Sequence, residues 1–132
     1  MVNPQWSPRI LSVLRIITGL LFLEHGTIKL LGFPAPMPGM EHLPPLLLVA
    51  GTIELVGGAL IALGLFTRIA AFIASGEMAV AYFMGHMSHG FWPALNQGEA
   101  AIMFCFIFLY LVFAGPGEWS IDAMRRGSAT RT

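Results

Sequence analysis

Four apolar runs of near membrane-spanning length organise the chain, at about residues 10–31, 46–66, 69–87 and 99–114. An α-helix rises about 1.5 Å per residue and needs about 20 residues to cross a hydrocarbon core of about 30 Å. Each run therefore predicts a membrane helix, the fourth being the shortest. With 56% hydrophobic and 11% charged residues in 132, the chain is too apolar for one water-soluble core of this length. The first run lacks a small-residue cleavage site and contains Glu24, His25 and Lys29, so it reads as a retained helix and not a signal peptide.

The connections fit this division. Residues 32–39 carry Gly32, Pro34, Pro36, Pro38 and Gly39, which cannot continue a helix, and Pro44-Pro45 suits a helix entry. Leu65-Phe66-Thr67-Arg68 leaves only room for an antiparallel hairpin, and residues 88–98 form the third connection. Trp6, Trp92 and Trp119 fall near the expected interfaces. Arg9, Arg15, Arg68, Arg125, Arg126 and Arg131 belong to the N-terminus, the second connection and the C-terminus, with Lys29 the exception. By the positive-inside rule both termini face the cytoplasm. The expected architecture is all-α: one domain over residues 1–132, a transmembrane four-helix antiparallel bundle in the cell (inner) membrane, with a cytoplasmic tail at 115–132.

Seven basic against seven acidic side chains give no net charge, so nucleic acid is not an expected partner. The one cysteine, Cys105, excludes an intrachain disulfide, a CxxC pair, a cysteine zinc site and a self-contained iron–sulfur cluster.

Every run carries a glutamate: Glu24, Glu54, Glu77 and, at the start of the fourth, Glu99. A charge near the bilayer centre costs at least about 2.5–3.5 kcal/mol, so such groups face protein, find partners and often mark a functional path. Counting helical rise puts Glu24 and Glu54 roughly 10–12 Å below the outer surface and Glu77 roughly 18 Å below it. Glu24, His25, Glu54 and Glu77 are the candidate catalytic residues, expected to line one outward-opening pocket. Lys29, His86, Asn96 and Glu99, in the outer half or outer connections, are candidate substrate-binding residues. Gly51, Glu54 and Gly58 share a helical stripe, which predicts close helix approach and a buried Glu54. Arg15 and Lys29 are expected to snorkel toward opposite interfaces. The bland alternative is that these carboxyls only glue helices together, and that His86 and His89 are interfacial and solvated.

No metal is expected. The Glu-x-x-His pattern of dinuclear carboxylate sites is absent, because Glu24, Glu54, Glu77 and Glu99 are followed three residues later by Thr27, Gly57, Val80 and Ile102. His25 and His86 on different helices are weak evidence for haem.

The stretch Gly19-Leu20-Leu21-Phe22-Leu23-Glu24-His25-Gly26-Thr27-Ile28-Lys29-Leu30 is followed by Gly51-Thr52-Ile53-Glu54-Leu55-Val56-Gly57-Gly58 and Gly64-Leu65-Phe66-Thr67-Arg68. Asn96-Gln97-Gly98-Glu99 and Gly115-Pro116-Gly117-Glu118-Trp119-Ser120-Ile121-Asp122 complete an ordered set of blocks. Together they resemble the DoxX family over roughly residues 14–122. The resemblance implies small four-helix membrane proteins, some described as subunits of quinol oxidase, thiosulfate:quinone or other membrane oxidoreductase systems, and it supplies no catalytic set. The expected function is an auxiliary redox subunit with no electron carrier of its own, using a quinone and a protein partner in a redox complex. The alternatives are a small proton-coupled transporter or solute-binding module, or a structural anchor for a partner complex.

Overall fold

The computed structural model describes residues 1 and 3–130; Arg131, assigned above to the basic C-terminus, lies outside the described residues. Six α-helices and no strand occur among the described residues: α1 (Trp6–Leu31), α2 (Pro45–Leu63), α3 (Thr67–Ala81), α4 (Pro93–Asn96), α5 (Glu99–Ala114) and α6 (Ile121–Ala129). A π-turn over Tyr82–His86 and a 3₁₀ turn over Met87–His89 prolong α3. Three helical stretches, Trp6–Leu31, Pro45–Leu63 and Thr67–His89, are long and apolar enough to cross a membrane. The fourth apolar helix, Glu99–Ala114, has 16 residues. The second helix ends three residues before the sequence limit of 66, because Gly64 turns into the left-handed region at φ 70° and caps it. The expected tail contains a helix, α6, that hydropathy does not signal.

Two tight helix pairs form the body, α1 with α2 and α3 with α5, and α2 joins them through α3. Contact between α1 and α5 is sparse. The first pair meets through glycine. A Cβ on Gly19 would lie 2.6 Å from the Ala62 amide nitrogen, one on Gly26 2.5 Å from that of Leu55, and one on Gly58 2.6 Å from that of Leu23. Small residues let two backbones approach in lipid, where dispersion and polar contacts replace the hydrophobic drive. The second pair packs Ala70, Ala71, Ala74 and Met78 with Phe104, Phe108 and Leu111, all buried. Ser75 Oγ donates to the Cys105 carbonyl at 2.8 Å across it. Phe22 stands edge-on to Phe108, with ring centroids 4.8 Å apart, and links α1 to this core.

Arg15 departs from the snorkelling expectation. Its side chain is fully buried and donates to the carbonyls of Ile61 (2.8 Å), Ala62 (2.8 Å), Pro116 (2.7 Å) and Trp119. The guanidinium fork turns inward because the last carbonyls of α2 carry the negative end of the helix dipole and retain lone pairs for a further donor. Arg68 repeats the device on α5, donating to Val112 (2.6 Å) and Phe113 (2.7 Å). Asp122 does the converse, accepting from the Phe66 and Thr67 amides at 3.0 Å each at the start of α3. Burial opposes the charged Asp122 carboxylate, but the amides of Thr67 and Phe66 and the nearby Arg125 outweigh it and hold its carboxyl below the usual range. The two blocks around Gly64–Arg68 and Gly115–Asp122 thus form one interlocked plate at this end of the helices.

Candidate functional site

At the opposite end, the last turn of α1 carries Lys29 over the α1–α2 seam. Gly51 opens the space for it, since a Cβ there would lie 3.1 Å from the Lys29 Cβ. Lys29 Nζ donates to both oxygens of Glu54, at 2.9 and 2.7 Å. Glu54 is 2% exposed, and the Lys29 side chain 15%, so the pair is largely shielded. Glu77 adjoins it from α3, close enough to interact electrostatically with both Glu54 and Lys29. Its Oε2 is buried and has no hydrogen-bond partner among the described residues. Two carboxyls and one ammonium thus lie together, the ammonium bonded to Glu54, and the group is neutral when it holds one extra proton. Three helices contribute one residue each to this centre.

A second polar group organises the connection before α5. Asn96 is buried; its Nδ2 donates to the Gly90 carbonyl at 2.9 Å and its Oδ1 accepts from the Gly98 amide at 2.8 Å. His86 Nδ1 lies 3.1 Å from the Asn96 carbonyl, and the His86 ring stacks on Tyr82. His89 Nδ1 lies 3.0 Å from the Gly85 carbonyl, tying the 3₁₀ turn back to the π-turn. These contacts hold the loop in shape and start α5.

The remaining candidates engage neither group by hydrogen bond or ion pair. His25 is exposed on α1 with its ring edge-on to Phe104 of α5, centroids 5.7 Å apart. Glu24 is exposed beside it, and Glu99 is exposed in the first turn of α5, where a carboxylate suits the helix dipole. Lys29 does not snorkel toward the interface as its position in the sequence suggests; its ammonium turns to Glu54, because the glycine seam brings α2 against this turn of α1. No group of three or more metal-ligating side chains occurs among the described residues. A cavity of about 450 Å³ lies over Lys29, roofed by the first connection and lined in part by Met37, Met40, Glu41 and His42.

A profile described as DoxX matches residues 10–87. The chain is 47% identical over 123 residues to an uncharacterized protein of Haemophilus influenzae, covering 89% of this chain and 92% of the relative. It is 28% identical to an uncharacterized membrane protein of Mycobacterium tuberculosis, covering 96% of this chain and 92% of that one. No solved structure matches at comparable significance. The profile covers both tight-packing glycine blocks, the Lys29–Glu54–Glu77 centre and the hairpin that Arg15 and Asp122 secure, and with the Haemophilus relative it establishes that the chain belongs to the DoxX family of membrane proteins.

Proposed function

We propose that this protein is a transmembrane four-helix antiparallel bundle of the inner membrane whose Lys29–Glu54–Glu77 centre exchanges a proton with a quinone, as an auxiliary subunit of a redox system. The observation that carries the reading is a second carboxyl, Glu77, with a buried unpaired oxygen beside the Lys29–Glu54 ion pair. Glu77 stands beside an ion pair already satisfied by two short contacts, so a proton gained or lost there changes the net charge of a shielded site. Quinone reduction consumes protons with electrons, and the electrons come from a partner in the complex. The sparse α1–α5 seam, with His25 and Glu24 exposed beside Phe104, offers a flat lipid-soluble molecule a lateral approach. The cavity over Lys29 supplies contact with water from the outer side.

The test separates chemistry from glue. Glu24→Gln, Glu54→Gln and Glu77→Gln keep shape and remove titration, and each is expected to lower quinone-linked electron flow in membranes about tenfold or more. The double variant Lys29→Met/Glu54→Leu replaces a buried pair by apolar groups of similar size, which is often neutral for stability. It is expected to fold yet to lack that electron flow. Normal flow in all four variants, with no quinone on gently purified protein, would favour the structural anchor.

In the proposed orientation the termini, Arg68 and α6 face the cytoplasm, on the positive-inside rule. Cysteines placed at Met40 or Ser88 in a Cys105→Ala background are expected to react with a membrane-impermeant maleimide from outside intact cells. Reaction only after the inner face is opened would invert the topology.

A further inference from the structure

A second cavity, of about 510 Å³, lies at the other end of the molecule, where α2 turns into α3, and its lining includes Phe66, Ile69, Arg68, Arg125 and Arg126. Three arginines face it against one carboxylate, Asp122, which is already engaged by the Phe66 and Thr67 amides. Arg68 uses Nη1 for the α5 carbonyls, while its Nε and Nη2 make no hydrogen bond among the described residues. Arg125 lies over the Phe66 ring at 5.2 Å, and Arg126 has no side-chain hydrogen bond or ion pair among the described residues. Because the cavity sits at the end of one spanning helix and the start of the next, it lies at the level of the membrane surface. Exposed Ile69, Phe72 and Ile73 continue from it along one face of α3 into the apolar zone.

We propose that this cavity binds the phosphate headgroup of an anionic phospholipid, with an acyl chain along Ile69, Phe72 and Ile73. Guanidinium forks match phosphate oxygens in geometry and charge, and basic clusters beside membrane helices attract anionic lipid. A free phosphate would use the arginines but not the apolar track. This site shares no residue with the proton-exchange centre, so either can fail alone.

The test is native mass spectrometry of the full chain in micelles titrated with phosphatidylglycerol, phosphatidylcholine or inorganic phosphate. Phosphatidylglycerol is expected to bind more tightly than phosphatidylcholine, and Arg125→Gln/Arg126→Gln to weaken it by about fivefold for each charge removed. Arg125→Lys/Arg126→Lys, which keeps the charge, is expected to retain most of the binding. Ile69→Ser is expected to weaken the lipid and leave phosphate unchanged. Equal affinity for the two lipids, or undiminished phosphatidylglycerol binding by Arg125→Gln/Arg126→Gln in folded protein, would overturn the proposal. Inorganic phosphate binding as tightly as phosphatidylglycerol would overturn the lipid assignment.

Discussion

Arg15→Met is expected to remove the folded state from detergent-solubilised protein, seen as aggregation on size exclusion and loss of a cooperative thermal transition. The guanidinium satisfies four carbonyls drawn from α2 and from the segment before α6. A hydrogen bond to a charged group contributes about 1.5–3 kcal/mol, and each buried acceptor left unpaired costs about 1–3 kcal/mol. Against a typical total of about 5–15 kcal/mol, that loss is decisive. Arg15→Lys is expected to rescue little, because an ammonium cannot reach acceptors on two sides of a planar fork. A wild-type transition temperature for Arg15→Lys would show that charge alone suffices.

The second large effect is expected at Gly58. A Cβ there would meet backbone, 2.6 Å from the Leu23 nitrogen and 2.7 Å from its Cα, so α1 and α2 must separate and lose contact along the seam. Overpacking of this kind costs about 1–3 kcal/mol for one added group, so Gly58→Ala is expected to lower the transition temperature clearly and Gly58→Leu to break the pair. Gly76 is the internal control, since a Cβ there meets nothing within 4 Å. Gly76→Ala is expected to be neutral or to stabilise by about 0.5–1 kcal/mol through helix propensity. Equal stability of Gly58→Leu and wild type would remove the seam as a source of cohesion.

What the sequence made legible follows from which forces are local. Spanning length and apolarity belong to consecutive residues, and the fourth helix, residues 99–114, has the bounds hydropathy suggested. The Gly51–Glu54–Gly58 stripe was readable because helical spacing alone puts a carboxyl between two small residues. Arg15 was not readable in the same way. Its acceptors are backbone carbonyls 46 to 104 positions away, and every residue has a carbonyl, so no side-chain pattern marks them. Lys29 was expected to snorkel for a related reason: spacing along one helix is blind to a partner such as Glu54 across a seam. The helix α6 was hidden in the tail because nine residues with two arginines resemble a solvated end, until Ser120 caps it and Asp122 ties it to α3.

The Arg15 contacts also set an order of assembly. The first helix leaves the ribosome carrying a guanidinium whose acceptors at Ile61 and Ala62 come two helices' length later, and those at Pro116 and Trp119 near the very end of synthesis. Until then the charge must stay in water or among headgroups, because an unmatched arginine is costly in hydrocarbon. Two of the four acceptors are present once α2 is made, and the other two come only with the C-terminal segment. A translation product stopped short of Pro116 is therefore expected to keep the glycine-packed pair of α1 and α2 but to leave the Arg15 guanidinium with two of its four acceptors.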